Sequence, residues 1–393
     1  MTDEAIVIVS GARTPIGNFQ GVFSEMSAPQ LGAVATKEAL ARAGLNGDQI
    51  EELIFGCVLP AGLAQAPARQ VALGAGLDIS TQCTTVNKMC GSGMKAVMLA
   101  HDQLKAGSCN IAIAGGMENM TLAPYVVPKV RGGLRLGHGE LKDHMFYDGL
   151  EDAYSGRLMG SFAQDVADKE GLTRQQMDDY AVASLQRAQA AMVNGYFGDE
   201  IAPVTVTSRK GDAVIAEDEL PRVANIEKIP TLKPAFKKDG TITAANSSAI
   251  SDGAASLVLT TESQARLLGL QPMARIVAHS THAQAPSEFS LAPGGAIRKV
   301  LDRAGWDAQE VDLYEINEAF AMVALLAIRE FGLDQAKVNI HGGACALGHP
   351  VGASGARIIV TLMYALKRLR QQKGVASLCI GGGEATAVAI EML

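Results

Sequence analysis

The chain has 393 residues, of which 48% are hydrophobic and 19% charged, and a formal net charge of −7. Those proportions support a large buried core and exclude an intrinsically disordered chain. An acidic balance without basic runs, and only 5% aromatic residues, argue against a nucleic-acid partner; an anionic ligand would need a local basic patch or helix N-termini.

The length suggests two or three packing units. Residues 5–10 read as a buried strand. No basic stretch with an apolar run precedes them, so no secretory leader is expected. No apolar run reaches the roughly 18 residues of a membrane span, so no membrane partner is expected. Residues 31–43 have helical spacing and stop at Gly44, and residues 50–59 read as a second strand. This β-then-α alternation predicts an α/β layered fold.

The pattern then returns. Residues 37–44 resemble 298–305, residues 50–55 match 311–316, Gly91-Ser92-Gly93 matches Ala353-Ser354-Gly355, and residues 111–116 echo 378–383. The offset stays between 261 and 267 residues in all four cases. An ordered set at nearly constant spacing predicts two structurally duplicated halves. Between them, residues 120–243 have no counterpart and are far longer than an ordinary connection. They include Thr173 and Gln176 at capping-box spacing ahead of Met177, Tyr180, Ala181, Leu185 and Ala188, which predicts a helix there. The expected organisation is a first half over 1–119 completed by 244–272, an inserted subdomain over 120–243, and a second half over 273–393.

Six cysteines (Cys57, Cys83, Cys90, Cys109, Cys345 and Cys379) show no Cys-x-x-Cys pair. A structural zinc site is therefore not expected, and free thiols in a reducing cytoplasm are. Cys90 precedes Gly91, Ser92, Gly93 and a helical run over 94–105. Backbone N–H groups at a helix start stabilise thiolate over thiol, and the glycines let a substrate approach the backbone. His349 lies in the glycine-rich segment 342–355, and Pro350 after it disfavours helical geometry, placing it on a loop before a second helix start. If the two helix starts face each other across the repeat, the second half offers an imidazole to the first half's thiol. The histidines 101, 138, 144, 279 and 282 read as ordinary side chains. Cys379, before Gly381, Gly382 and Gly383, fits either a second thiol near the first or a small core residue. Gly381 could offer an N–H to a developing oxyanion. Asn317, between Glu315 and Glu318, fits either a site that orients water or a plain strand-terminal turn.

Taken together, segments 86–93, 317–320, 342–355 and 378–383 resemble the thiolase family, most closely its acetyl-CoA acetyltransferases, and the similarity runs over nearly the whole chain. The resemblance implies a thiolase fold: two βαβαβαββ halves in a five-layered α/β/α/β/α arrangement plus an inserted loop domain. It implies a homo-oligomer, a dimer and usually a tetramer, and reversible Claisen condensation of two acetyl-CoA to acetoacetyl-CoA and CoA. Thiolysis of short 3-oxoacyl-CoA is the reverse reaction. CoA is then substrate or product, with no tightly bound cofactor and no metal.

The same resemblance assigns Cys90 as the acylated nucleophile, His349 as its base and Cys379 as the second acid/base. Asn317 would hold a water that shares an oxyanion hole with His349, while the N–H groups of Cys90 and Gly381 would form the other. Arg222 matches a residue that stacks on adenine; Ser248, Ala244 and Phe236 fit the pantetheine-facing segment; Leu150, Met159, Ala319 and Phe320 fit the channel and acyl pocket. Arg209, Lys210, Arg222, Lys228, Lys237 and Lys238 form a local basic set that suits a phosphorylated nucleotide. Two departures bear on acyl choice: close relatives carry His-Met where this chain has Leu158-Met159, and many carry Met-Gly where it has Phe289-Ser290.

Overall fold

The computed structural model describes residues 4–209 and 211–393; Lys210 of the basic set lies outside them. The first repeat runs β1 (Ile6–Arg13), α1 (Ala28–Ala43), β2 (Glu52–Gly56), α2 (Pro67–Gly74), β3 (Gln82–Val86), α3 (Ser92–Ala106) and β4 (Ile111–Asn119). Next come α4 (Met159–Lys169), α5 (Arg174–Val193) and a hairpin of β5 (Val204–Ser208) with β6 (Gly211–Ile215). The chain continues through β7 (Ser251–Thr261), β8 (Ala274–Ala283), α6 (Ala292–Ala304), β9 (Leu313–Ile316), α7 (Ala321–Phe331), α8 (Ser354–Leu369), β10 (Lys373–Ile380) and β11 (Glu384–Met392).

Local chemistry sets these boundaries. α1 starts earlier than apolar spacing alone suggests, because Ser27 and Gln30 form a capping box with Pro29 in the first turn. α5 starts on the predicted Thr173–Gln176 capping box. The expected strand over 50–59 shortens to β2 because the N–H groups of Val58 and Leu59 turn away from the ladder to the Glu118 carboxylate, at 2.8 and 3.1 Å.

The main sheet has ten strands in the order β9-β10-β11-β8-β1-β7-β4-β2-β3, with the two-residue strand Gly17–Asn18 beside β7. In the first half β3, β2 and β4 are mutually parallel, and β4, β7 and β1 alternate antiparallel. The second half repeats this: Val338 pairs parallel with β9, β9 parallel with β10, and β10, β11 and β8 alternate antiparallel. Within the sheet, the described strands of the two halves pair where Val7 and Ile8 of β1 meet Arg275 and Ala274 of β8. Three cores separate five layers. One packs α1 and α2 on the first half; one wraps α3 and α8 between the two halves; one packs α6 and α7 on the second. Both faces of most strands are covered, so β1 is buried at all eight positions.

The middle layer brings the two repeats together at glycines. A Cβ on Gly93 would lie 2.9 Å from the Ala356 nitrogen and the Gly352 carbonyl, and a Cβ on Gly355 would lie 2.4 Å from the Met94 nitrogen. The first turns of α3 and α8 thus touch backbone to backbone, an approach that only glycine permits.

The inserted segment is tied down by buried charge. Arg13 of β1 donates to Glu200 (2.5 Å) and, bidentately, to Asp218 (2.7 and 2.9 Å), all three side chains being buried. Removing Arg13 would leave two buried carboxylates without their cation.

Candidate active site

The residue before Cys90 sets its position. Met89 has φ +47, a left-handed backbone that costs a side chain about 1–3 kcal/mol and persists only where surroundings impose it. Here the Met89 N–H donates to Asn87 Oδ1 (2.9 Å), and Ser92 Oγ donates to the Met89 carbonyl (2.6 Å) while accepting from the Lys88 N–H (2.8 Å). This knot turns the chain into α3 and presents the Cys90 thiol to a cavity. The N–H groups of Gly381 and of Cys90 itself point at the sulfur.

His349 arrives from the second half on the loop before α8. Gly348, at φ +105, allows the turn; a Cβ there would lie 2.1 Å from Ser251 Oγ. The His349 N–H donates to the Ala249 carbonyl (3.0 Å), and its Nδ1 lies 2.6 Å from Ser354 Oγ. Ser354 Oγ also lies 3.0 Å from the Pro350 carbonyl, to which its single proton is donated. With the Ser354 proton given to that carbonyl, Nδ1 is the protonated nitrogen. The lone pair remains on Nε2, which is buried without a protein partner. Burial and the Arg357 charge push the His349 imidazole down to about 3, so it is neutral near pH 7.

Cys379, at the end of β10, is fully buried yet lines the same cavity as Cys90, His349 and Gly381. Burial pushes its thiol well upward, and the neighbouring Cys90 pushes in the same direction. Cys90 is also raised, to about 11. This corrects the expectation of a resting thiolate. The Gly381 and Cys90 N–H groups do favour the anion, but desolvation outweighs them. At neutral pH the site holds two thiols and a neutral imidazole.

The cavity has a volume of about 580 Å³. Of the predicted channel residues, Phe236, Ala244, Ser248, Leu150, Met159, Phe289, Ala319 and Phe320 all line it. Its acyl end is aromatic: the Phe320 ring lies 6.2 Å from both Phe236 and Phe289, edge to face. Leu158, where a histidine was expected from the family pattern, adds another apolar wall.

Two predicted residues are not brought to the wall. Asn317 is buried behind it, with neither side-chain polar atom bonded to protein. Arg222 is more than half exposed on the short helix Glu219–Val223 and lies 3.5 Å from Glu217; of that helix only Leu220 lines the cavity. The carboxylates flanking Asn317 do not orient water at the site. Glu315 faces Arg357 (3.3 Å), while Glu318 accepts from Tyr180 and Ser184 of α5, from Asn339 and from the Cys345 N–H, at 2.7–3.1 Å. Glu318 therefore locks the inserted segment to the loop that leads to His349.

Sequence reasoning missed Asn18, Phe19, Met120, Phe146 and Val351 in the cavity wall. It also missed Glu118, which accepts from Val58, Leu59 and Gly352 (2.8–3.1 Å) and so ties the first half to the loop between His349 and α8. No cation neutralises Glu118 among its partners, and burial pushes its carboxyl up to about 7.

A thiol, a neutral imidazole with a free lone pair, a second thiol and a backbone donor in one apolar cavity define an acyl-transfer site of the cysteine–histidine type. Comparison with known proteins agrees. The family model for the thiolase N-terminal domain matches residues 6–263, and that for the C-terminal domain matches 270–392. The chain belongs to the thiolase family. It is similar to the acetyl-CoA acetyltransferase of Cupriavidus necator (48% identity, covering 100% of both chains) and to that of Pseudomonas aeruginosa (46%, covering 98% of both). Among solved structures it resembles the Bacillus anthracis acetyl-CoA acetyltransferase (TM-score 0.97, 40% identity, covering 99% of each chain). It also resembles the Acat5 thiolase of Ascaris suum in complex with coenzyme A (TM-score 0.94, 42% identity, covering 99% of this chain and 100% of that one).

Proposed function

We propose that the protein is an acetyl-CoA C-acetyltransferase that interconverts two acetyl-CoA with acetoacetyl-CoA and CoA. The observation that carries this reading is the convergence of Cys90, His349, Cys379 and Gly381 on one cavity. In the thiolysis direction, Cys90 attacks the 3-keto carbon as its proton passes to His349 Nε2. The carbon–carbon bond breaks, and the leaving enolate of acetyl-CoA takes its proton from the Cys379 thiol. CoA then gives its thiol proton to Cys379 and attacks the acyl-Cys90 thioester. The Cys90 sulfur leaves and recovers its proton from His349. Condensation is the same path reversed. The resting protonation states are those the first step requires: thiols that can give a proton and an imidazole that can take one. The Cys90 and Gly381 N–H groups are the oxyanion donors in this scheme, each worth ~2.7–4 kcal/mol where such donors have been removed. Asn317, through a water, is assigned to the other oxyanion.

CoA is read as substrate and product, with the inserted subdomain over 120–243 carrying Arg222 and the other basic residues toward its nucleotide. Assembly into a dimer or tetramer is supported by the open edge of β3, whose side chains are exposed or half-buried, and by exposed apolar groups at Tyr125, Leu136 and Leu141. The compartment proposed is the cytoplasm, which would keep both thiols reduced. No helix among the described residues is long and apolar enough to cross a membrane.

A thiolysis assay with acetoacetyl-CoA and CoA tests the proposal. Absence of turnover, or CO₂ release from a malonyl thioester, would replace it with a decarboxylating synthase or a non-catalytic CoA-binding protein. A 3-oxoacyl-CoA thiolase of wider chain range is the second reading, favoured by the apolar Leu158 and Phe289 at the acyl end. It predicts comparable kcat/KM for acetoacetyl-CoA and 3-oxohexanoyl-CoA, and for Phe289→Ala a shift of about 10-fold toward the longer substrate. A strong wild-type preference for acetoacetyl-CoA removes this reading.

Two further results are expected. Because the His349 imidazole sits near 3 and must be unprotonated to act, kcat/KM for acetyl-CoA condensation should stay flat from pH 8 down to about pH 5; an ordinary histidine would give a limb near 6.5. An acid limb at 6–7 that shifts in a His349 variant would contradict the assignment. Ser354→Ala removes the acceptor that keeps Nδ1 protonated, so kcat should fall by ~10–100-fold with little change in KM, as when an imidazole loses its orienting partner. Ser354→Thr should restore most of it.

A further inference from the structure

About three helical turns along α3 from Cys90, His101 and Asp102 meet His279 of β8. His101 Nδ1 lies 3.0 Å from Asp102 Oδ1, His279 Nε2 lies 2.9 Å from the same oxygen, and the two imidazole nitrogens lie 3.2 Å apart. We propose that these three side chains form a binding site for a divalent first-row cation of the zinc class, separate from the acyl-transfer cavity.

Proton accounting argues that the cluster is incomplete as a hydrogen-bonded unit. The carboxylate oxygen only accepts. If both imidazole nitrogens carry protons, two donors face each other at 3.2 Å. If either lacks its proton, a lone pair faces the carboxylate at about 3 Å. With the carboxylate ionised, at least one edge of the triangle is repulsive in every protonation state of the two imidazoles. A cation shared by all three atoms makes every edge favourable at once.

The triangle also has the right size. Ligand atoms about 2.1 Å from a metal are separated by roughly 3.0 Å along an octahedral edge and roughly 3.3–3.4 Å along a tetrahedral one. The observed 2.9–3.2 Å brackets the octahedral edge and falls slightly short of the tetrahedral one. Two imidazoles and one carboxylate on one face are a familiar donor set for zinc and its neighbours, with positions left over for water. The two histidines are half-buried while Asp102 is exposed, so the side chains are held and the site stays open to solvent. Two cations lie near the cluster and each donates to a backbone carbonyl: Lys105 to that of Glu4, and Arg303 Nη1 to that of His279 at 2.5 Å. Since α3 belongs to the first repeat and β8 to the second, a bound ion would staple the halves together.

The test is a titration of chelator-treated full-length protein with Co²⁺, followed by visible absorption and thermal unfolding. One cobalt per chain should bind, giving d–d bands without a thiolate charge-transfer band, and should raise Tm. Asp102→Asn, an exposed isosteric change, and His279→Gln should each weaken binding by more than the roughly 10–100-fold that loss of an outer-shell partner brings. Far-UV circular dichroism and acetoacetyl-CoA thiolysis should be unchanged in Asp102→Asn. No cobalt uptake, uptake equal in the wild type and both variants, or a charge-transfer band showing cysteine ligation would overturn the site.

Discussion

Cys90→Ala is expected to abolish turnover in both directions. The thiol is the group assigned to form the thioester, and loss of a covalent nucleophile from a cooperating set removes on the order of 10⁴–10⁶ of the rate. The residue is half-buried beside the cavity, so the alanine side chain leaves little to repack. Far-UV circular dichroism should match that of the parent chain. The decisive measurement is trapping: incubation with radiolabelled acetyl-CoA followed by denaturation should leave label on the wild type and none on the variant. Label retained by Cys90→Ala would transfer the nucleophilic role to another thiol, with Cys379 the first candidate because it faces the same cavity.

Cys379→Ser is the second large effect and should separate the half-reactions. A serine hydroxyl fills almost the same space but gives up a proton far less readily than a thiol. Acylation of Cys90 by acetyl-CoA uses Cys379 only to protonate the departing CoA, and a thiolate can leave without that proton far more easily than a carbanion can, so a burst of CoA release should survive. Proton transfer at carbon should slow by ~10²–10⁴-fold, the usual worth of general acid–base help. Steady-state condensation and thiolysis would fall together while the acyl-enzyme accumulates. If acylation disappeared first, the two sulfurs would have exchanged roles.

Much of this was legible in the sequence because it was local or repeated. Gly93 and Gly355 stand at equivalent places in the two repeats, and the structure puts them in contact. The Thr173 capping box marked its helix correctly because four consecutive residues supply every group involved. Glu118 escaped notice for the opposite reason. Its three partners lie about 60 residues before it and more than 230 after it, and a carboxylate that accepts backbone N–H groups leaves no side-chain signature. The reversal at Cys90 is of the same kind. A helix start is visible in the sequence, whereas the desolvation that overrides it comes from chain folded over the site from elsewhere. Phe19 and Met120 line the cavity from a turn and a bend, and Phe146 from the start of the short π-helix Phe146–Leu150; none of the three carries a motif.

The contact between the first turns of α3 and α8 has an evolutionary consequence. Copies of a duplicated gene are ordinarily free to diverge or be lost, but in the mechanism proposed above one copy holds the reactive sulfur and the other holds what activates it. A polypeptide severed between β7 and β8 would carry the Cys90 thiol on one fragment and the His349 imidazole on the other. Neither repeat can revert to independent life, and selection must act on the two as a single inheritance.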